Sequence, residues 1–574
     1  MQSLISSLKK YWFDITIAVL MISVAAFSAL FQPTLMKDIF TAILKKDHYQ
    51  MVQLSIGLIL LAILGLVAGV INTIFAAKVA QNVAFDLRAA QYQKIQSFSF
   101  SNIESFTPGN LVVRMTNDII QVQNLIMMFL QTIFRAPIIF FGALIFAILT
   151  IPQFWWIIAG VVVMIALVAA YAFFRMEKFF QIAQNLVDRV NGIVRESMMG
   201  IRVVKSFVEE ESQMSKFKDT SDQLTKINVQ TGSLFSFLIP LFFLFANLAI
   251  TGSVFLVGNM VTTDPSLVAR IATFTNYLFQ LMIAIVMAGF TITFASRGLV
   301  SLKRIDEVLK TEPDLNYQKT NNQISDGSIE FDHVSFSYPD SDNLVLNDLS
   351  FKFESGETIG IIGATGAGKS TLAQLIARIY DPSKGSVKVG NLDLKETSEA
   401  ELRKNVSLVL QKPILFSGTI ADNLRQGKSN ATLTEMKKAA EISQALEFIE
   451  RLPKKFDSKV EERSANFSGG QKQRLSIARG VISDPKILIL DDSTSALDAK
   501  SEKLVRDALA SKLKTTTKLI IAEKISSVIN AERILVLENG EVSAIGNHHE
   551  LLQSSAVYQE IYRTQKGLQG EGQK

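Results

Sequence analysis

The amino-acid sequence predicts an α-helical, membrane-spanning N-terminal half and an α/β C-terminal half. Hydrophobic residues make up 48% of the 574 residues, and they are concentrated before about Val300. This N-terminal part contains six apolar stretches long enough to cross a bilayer. After it, short β-branched runs alternate with helical patterns, as is typical of an α/β domain.

The six apolar stretches each contain about 20 residues or more, the length that a helix needs to cross a bilayer core. They are Trp12–Met36, Val52–Ala77, Ile126–Thr150, Phe154–Phe174, Leu234–Val261 and Ile271–Ala295. A signal peptide is an alternative for the first stretch, because Lys9 and Lys10 precede it. However, this stretch is too long for a signal peptide and lacks a small-residue cleavage site.

The distribution of basic residues predicts that both termini are cytoplasmic. The long connection 175–233 carries nine Lys and Arg residues, whereas the short connection Ile151–Gln153 carries no charge. Cytoplasmic loops are the ones enriched in Lys and Arg. The long connections contain few helix breakers, so we expect helices to continue below the membrane. Turns near Phe98–Phe106 and Val204–Glu211 then form tips that contact a cytoplasmic domain.

Composition excludes several other kinds of site. The chain has no cysteine, which excludes disulfides, thiolate metal sites and cysteine nucleophiles. Its four histidines are scattered, without metal-ligand spacing. The net charge of +5 comes from basic residues mixed with acidic ones, which does not indicate a nucleic-acid patch.

The domain organisation follows from the change in composition after the sixth stretch. We expect a membrane domain with cytoplasmic extensions at 1–310, a polar linker at 311–327, a nucleotide-binding domain at 328–563 and a disordered tail at 564–574. The strands predicted in the nucleotide-binding domain are Ser328–Phe336, Thr358–Ile362, Ser407–Leu410, Ile487–Leu490, Lys518–Ala522 and Ile534–Leu537.

A phosphate-binding loop is predicted at residues 363–370. The sequence GATGAGKS follows an apolar strand and opens a helical run, the context that a G-x-x-x-x-G-K-[ST] loop requires. Its N–H groups and the helix N-terminus favour phosphate, the lysine adds a positive charge, and the serine hydroxyl ligates Mg²⁺. The nucleotide-binding candidates here are Gly363, Thr365, Gly366, Gly368, Lys369, Ser370 and Thr371. Asp491 ends the apolar run Ile487–Leu490 and is the second candidate Mg²⁺ ligand.

A further motif brings a family resemblance. Residues 467–474, FSGGQKQR, closely resemble the signature of ABC transporter ATPases. With six spans, two long cytoplasmic extensions and a C-terminal ATPase, the chain resembles an ABC exporter half-transporter over nearly its whole length. This resemblance implies a dimer in which each ATP lies between the phosphate loop of one subunit and the signature of the other. The signature residues are Ser468, Gly469, Gly470 and Gln471.

The resemblance also assigns roles to individual residues. Tyr338 resembles the aromatic residue that stacks on adenine, and Gln411 resembles the loop glutamine that reaches Mg²⁺. Asp492 occupies the position of the usual catalytic glutamate, and Glu523 that of the usual histidine at the γ-phosphate. Asp is one methylene shorter than Glu, and a displacement of about 1 Å can cost on the order of 100-fold in rate. An ionised Glu523 would repel phosphate.

These two departures resemble the degenerate-site subunit of heterodimeric multidrug exporters of Gram-positive bacteria. The resemblance implies a bacterial plasma-membrane subunit that binds ATP and Mg²⁺ and exports small amphiphilic substrates. Its intact signature would complete a competent site on a second, different subunit. A harmless Glu-to-Asp variation remains an alternative for Asp492.

Other functions stay open at this stage. They include lipid, peptide and heme or thiol export, and an ATP-gated channel or regulator. Candidates for the transport path combine polar groups with adaptable apolar ones, although helix packing is an alternative for each. They are Phe243, Phe245, Asn247, Thr251, Asn276, Gln280, Met282, Met287 and Phe290.

Overall fold

The computed structural model describes residues 2–257, 266–339, 341 and 343–571. The chain divides into two compact units. The first contains Met1–Gln96 and Thr107–Thr311, and the second contains Ser97–Phe106 and Glu312–Lys574. The segment Ser97–Phe106, which we call the first tip, therefore belongs to the second unit, although we expected it within the membrane domain.

The first unit is helical throughout its described secondary structure, and six of its helical segments are long and apolar enough to cross a membrane. This confirms the predicted helical membrane domain. The helices, with the one in the first tip, are α1 Gln2–Lys10, α2 Trp12–Leu44, α3 His48–Gln96, α4 Phe100–Phe106, α5 Pro108–Met115, α6 Asn117–Met128, α7 Arg135–Thr150, α8 Trp155–Met199, α9 Ile201–Ser206, α10 Glu210–Val257 and α11 Leu267–Lys310.

Most of these helices are much longer than a bilayer requires. At 1.5 Å per residue, the 49 residues of α3 extend about 70 Å. The helices therefore continue beyond the membrane, as the absence of breakers predicts. The short helix α4 lies within the first predicted turn, Phe98–Phe106, and the short helix α9 ends within the second, Val204–Glu211. Of the predicted fifth span, residues 258–261 lie outside the described residues.

A proline in α2 is compensated by side chains of α11. Because Pro33 has no N–H, it leaves the Ala29 carbonyl without its helical donor. Gln280 Nε2 donates to Ala29 O at 3.3 Å, and the Tyr277 hydroxyl donates to Leu30 O at 2.8 Å. We call these contacts the proline clasp. They satisfy polar backbone groups in a region where water is scarce.

A second polar cluster joins α5 and α6 to α11. Asp118 is almost fully buried and accepts a hydrogen bond from Ser301 Oγ at 2.8 Å. One turn away, the buried Arg114 donates to Glu307 Oε2 at 2.8 Å and to the Arg304 carbonyl at 2.9 Å. The cluster fixes α11 to α5 and α6 shortly before α11 ends.

The described residues of the second unit form three sheets, the smallest of which pairs only β7 with β8. A four-stranded antiparallel sheet has the order β2-β1-β4-β5, and a six-stranded sheet has the order β12-β11-β3-β10-β9-β6. In the larger sheet only β12 pairs in the antiparallel direction. The strands are β1 Ile329–Phe336, β2 Leu346–Phe353, β3 Thr358–Gly363, β4 Lys384–Val389, β5 Leu392–Asp393, β6 Val406–Val409, β7 Gly418–Thr419, β8 Lys459–Val460, β9 Ile487–Asp491, β10 Thr517–Ile521, β11 Arg533–Glu538 and β12 Glu541–Gly546.

The helices of the second unit flank this sheet, which confirms the predicted α/β class. They are α12 Lys369–Ile376, α13 Glu399–Asn405, α14 Ile420–Arg425, α15 Leu433–Ile442, α16 Leu446–Arg451, α17 Gly469–Val481, α18 Ala499–Lys512, α19 Ile525–Val528, α20 His548–Ser554 and α21 Ala556–Glu571. The carboxyl ends of β3 and β9 lie on one edge of the parallel sheet, since both pair with β10. Ligands of such sheets bind at this edge.

The C-terminal tail differs from the sequence-based expectation. We expected disorder from Thr564, but α21 continues to Glu571, and residues 572–574 lie outside the described residues. Tyr558 on this helix is fully buried against the same core as Ile525 and Val528. Polar composition alone predicted disorder, whereas tertiary packing stabilises the helix.

Candidate functional site

The phosphate loop is a tight turn between β3 and α12. Gly366 and Gly368 have φ of +87° and +95°, in the left-handed region that favours glycine. A Cβ on Gly368 would lie 2.5 Å from Leu346 Cδ2, so a side chain does not fit there. Lys369 Nζ donates to the Gly363 and Ala364 carbonyls at 2.8 and 2.9 Å. The lysine charge is thereby held across the loop, at the N-terminus of α12.

The two predicted Mg²⁺ ligands are brought together. Ser370 Oγ donates to Asp491 Oδ1 at 3.1 Å, although the residues lie far apart in sequence. A hydroxyl and a carboxylate are hard oxygen donors of the kind that Mg²⁺ prefers. Burial raises the pKa of Asp491, and the nearby Asp492 charge raises it further, against the Ser370 hydrogen bond and the Lys369 charge. A bound cation would offset this cost of ionising Asp491, so the residues fit the metal.

Acidic side chains surround the lysine. Burial lowers the pKa of Lys369, while the charges of Glu523, Asp491 and Asp492, in that order, oppose the shift. Glu523 follows β10, which lies between β3 and β9. Because β10 ends opposite Ile361 of β3 and Asp491 of β9, Glu523 lies at the sheet edge that carries the phosphate loop, although its sequence position is remote from the loop.

Gln411 is bound to the residue at the catalytic position. Its Nε2 donates to Asp492 Oδ2 at 3.1 Å. Asp492 also donates its N–H to the Ile521 carbonyl at 2.9 Å and has φ of +45°. An Asp tolerates this left-handed conformation better than most residues. The Asp492 carboxylate is thus held by a neutral amide donor next to the two Mg²⁺ candidates.

Tyr338 is joined to the helix that follows the phosphate loop. Its hydroxyl lies 3.0 Å from Thr371 Oγ1 and donates to Gln374 Oε1 at 3.1 Å. Its ring meets that of Tyr380 edge-on at 5.4 Å. The Thr371 hydroxyl is therefore occupied by the tyrosine, whereas Thr365 is exposed in the loop itself.

The signature forms the start of α17. Ser468 caps the helix by accepting from the Gln471 N–H at 3.3 Å, and its own N–H donates to Gln471 Oε1 at 2.9 Å. Gly469 and Gly470 begin the helix, and Ser468 and Gly469 are exposed. Among the described residues, no hydrogen bond or ion pair joins these four residues to the phosphate loop. The signature thus presents an exposed helix N-terminus, which favours anions.

The sequence reasoning missed one contact of the second unit. The Tyr380 hydroxyl donates to Glu104 Oε2 of the first tip at 2.7 Å. Burial, followed by this hydrogen bond to a carboxylate, raises the pKa of Tyr380 well above its usual value. Within the same tip, Phe98 and Phe106 stack with ring centroids 5.8 Å apart. No local sequence pattern connects Tyr380 with Glu104, because the two residues lie far apart in the chain. The one available signal was a tyrosine shortly after the helix of the phosphate loop.

The structure explains the polar groups of three transport-path candidates by contacts with backbone carbonyls. Gln280 belongs to the proline clasp, and Asn247 and Asn276 donate to the Phe243 and Ala272 carbonyls of their own helices. For these three residues, helix packing explains the presence of the side-chain amide. Met282 is buried, whereas Met287 is exposed. The side chain of Phe290 lies outside the described residues.

The fold and this site define a nucleotide-binding P-loop domain joined to a six-helix membrane domain. Family profiles agree with both parts: residues 15–285 match the ABC transporter transmembrane region, and residues 346–495 match the ABC transporter domain. An uncharacterized ABC transporter ATP-binding protein of Bacillus subtilis, YfiB, is 36% identical over 99% of both chains. The chain belongs to the ABC transporter family and has the layout of an exporter.

Two other relatives are informative. An ATP-dependent lipid A-core flippase of Desulfotalea psychrophila is 30% identical over 95% of each chain. A solved bacterial Atm1-family ABC exporter with ATP bound superposes with a TM-score of 0.78, covering 96% of this chain and 98% of that one. At 23% identity this second likeness shows the fold alone.

Proposed function

We propose that this chain is one subunit of a heterodimeric, ATP-driven exporter of amphiphilic compounds in a bacterial plasma membrane, with cytoplasmic termini. Its own phosphate-loop site binds MgATP firmly and hydrolyses it slowly. Its signature completes a competent site on the second subunit. The observation that carries this proposal is the composition of the phosphate site, where Asp492 and Glu523 lie at the same sheet edge as the phosphate loop and their charges act on Lys369.

Nucleotide binding is supported by the loop geometry. The N–H groups of the loop and α12 bind phosphate oxygens, and Lys369 exchanges its two carbonyl acceptors for phosphate. Tyr338 supplies a ring for the adenine. Mg²⁺, held by Ser370, Asp491 and, through its amide oxygen, Gln411, would neutralise phosphate charge.

Slow hydrolysis is supported by two side chains. A general base must lie within hydrogen-bond reach of the attacking water. Asp492 is short for this position, and its carboxylate is already held by Gln411 at 3.1 Å. Glu523 provides a negative charge where a donor to the terminal phosphate is needed. The expected reduction from the shortened side chain alone is about 100-fold.

The need for a second subunit is supported by two exposed surfaces. Among the described residues, no hydrogen bond or ion pair joins the signature to the phosphate loop of the same chain. The second tip, which we define as residues 198–208, exposes Met199, Phe207 and Val208 by 83%, 73% and 80%. Exposed apolar side chains in such a cluster favour a protein contact. We assign this contact to the ATPase domain of the second subunit.

Lipid export is a second candidate for the transported substrate. The specific observation is the 30% identity to a lipid A-core flippase over nearly the whole chain. Uptake of fluorescent drugs and of labelled lipids by inside-out vesicles containing both subunits would separate these substrates. Accumulation that requires ATP distinguishes a pump from a channel.

The proposal of slow hydrolysis is tested by paired substitutions in the purified complex. Asp492→Asn should reduce total ATPase activity by less than twofold, whereas replacement of the glutamate at the matching position of the second subunit by Gln should abolish it. If Asp492→Asn abolishes activity as fully, this site is competent and the proposal is wrong. The gain-of-function pair Asp492→Glu and Glu523→His should raise turnover at this chain's own site by at least about 10-fold.

A further inference from the structure

The C-terminal helix binds the loop that carries Glu523. The side-chain amide of Gln565 in α21 makes two hydrogen bonds to this loop. Its Nε2 donates to the Glu523 carbonyl at 2.8 Å, and its Oε1 accepts from the Ile525 N–H at 2.9 Å. One side chain therefore binds the backbone on both sides of Lys524.

These two backbone groups need such a partner. Ile525 is the first residue of α19, so its N–H has no acceptor within the helix. Glu523 lies beyond the end of β10, so its carbonyl lies outside the strand ladder. The amide of Gln565 provides one donor and one acceptor, which matches both groups.

The helix that carries Gln565 is well anchored. Tyr558 of α21 is fully buried, and it shares a hydrophobic core with Ile525 and Val528 of α19. His548 Nδ1 lies 2.8 Å from the Tyr558 hydroxyl. Because the helix is fixed by packing, its glutamine acts from a rigid base.

The loop is also bound on its opposite side. Glu502 of α18 accepts from Ser527 Oγ at 2.6 Å and from Thr494 Oγ1 at 3.2 Å. Thr494 lies two residues after Asp492. Through Glu502, the helix α19 that follows the loop is tied to the segment that carries Asp492, so α18 and α21 together hold the residues that follow Glu523.

We propose that Gln565 is a positioning residue for the phosphate site. It holds the loop so that Glu523 stays at the sheet edge that carries the phosphate loop, where its charge faces the terminal phosphate of bound ATP. This inference rests on the proposed role of Glu523. Nothing in the sequence pattern of the ATP motifs points to α21, which lies about 40 residues further along the chain.

The contact itself is tested by hydrogen exchange of the full-length chain in nanodiscs. Gln565→Ala removes the acceptor of the Ile525 N–H, so exchange in the peptide 522–528 should accelerate by about fivefold. Gln559→Ala is the matched control, because Gln559 lies on the same helix and its amide donates to the Leu552 carbonyl instead. Unchanged exchange in Gln565→Ala, or equal acceleration in the control, would overturn the inference.

The functional role is tested by equilibrium binding of MgATPγS and MgADP. Release of the loop lets the Glu523 charge withdraw, so Gln565→Ala should bind MgATPγS about fivefold more tightly while MgADP affinity changes by less than about twofold. A general loss of structure would instead weaken the binding of both nucleotides.

A double-mutant cycle shows whether Gln565 acts through Glu523. Glu523→Ala alone should tighten MgATPγS binding, and adding Gln565→Ala should then have no further effect. If Glu523→Ala leaves the affinity unchanged, the role of Glu523 and this inference both fail, while the Asp492 substitutions still test slow hydrolysis separately. A full effect of Gln565→Ala in the Glu523→Ala background would also overturn the inference.

Discussion

The hydrogen bond between Tyr380 and Glu104 permits a sharp test of how the first tip is held. Tyr380→Phe removes the hydroxyl and preserves the ring, which packs against Phe336 and Tyr338. The variant therefore loses the 2.7 Å contact with Glu104 and little else. We expect the tip to open more often, while the sheet and the phosphate loop keep their structure.

The size of the effect follows from the environment of the two groups. A hydrogen bond to a charged acceptor contributes about 1.5–3 kcal/mol. Glu104 is exposed, so solvent screens its charge, and we reduce the expected contribution to about 1 kcal/mol. This corresponds to about a fivefold increase in the open population of the tip.

Hydrogen exchange of the peptide spanning residues 97–106 in the nucleotide-free, full-length chain measures this population. The matched control is Tyr338→Phe, whose lost hydroxyl contacts are Thr371 and Gln374 of α12. The control should leave exchange in the tip unchanged. Wild-type exchange in Tyr380→Phe, or equal acceleration in both variants, would refute the reasoning.

Two further predictions concern charged groups. Arg114→Ala should lower the free energy of unfolding by about 2 kcal/mol, because it removes several hydrogen bonds of a buried guanidinium. Glu307→Ala should lower it by less than about 1 kcal/mol, because the Glu307 side chain is 58% exposed. Thermal unfolding in detergent compares the two variants, and the opposite order would contradict this account. Because the pKa of Asp491 is raised in the folded chain, its ionisation destabilises the nucleotide-free protein as pH rises through the interval between the unfolded and folded pKa values. Asp491→Asn should therefore raise the unfolding temperature at about pH 7 and abolish the Mg²⁺ dependence of ATP binding. A lowered unfolding temperature would contradict this prediction, because it would show that the carboxylate stabilises the nucleotide-free site.

The sequence predicts those parts of the structure that depend on local pattern. The six membrane helices follow from hydropathy, and the phosphate loop follows from a short motif with its strand and helix. Several antiparallel strands, such as β2 and β4, were missed because their alternating pattern is weaker than the continuous apolar runs of the buried parallel strands.

The long-range part of the site could be predicted only in outline. The resemblance assigns Asp492 and Glu523 to one site, but the contact of Gln411 with Asp492 depends on how β6 and β9 pair. The Tyr380 contact with Glu104, the Gln565 contact with the Glu523 loop and the packing of Tyr558 that orders the tail helix all depend on tertiary structure. Polarity indicated disorder for the tail because it carries no information about such partners.

The proline clasp also limits how the membrane helices can vary. An alanine at position 33 would restore the backbone N–H that donates to the Ala29 carbonyl within α2. The Gln280 amide would then lack this acceptor in an apolar environment. Conversely, an apolar residue at position 280 would deprive the Ala29 carbonyl of the donor that replaces the missing N–H of Pro33. Positions 33 and 280 are therefore coupled, and we expect a tolerated change at one of them to be accompanied by a change at the other.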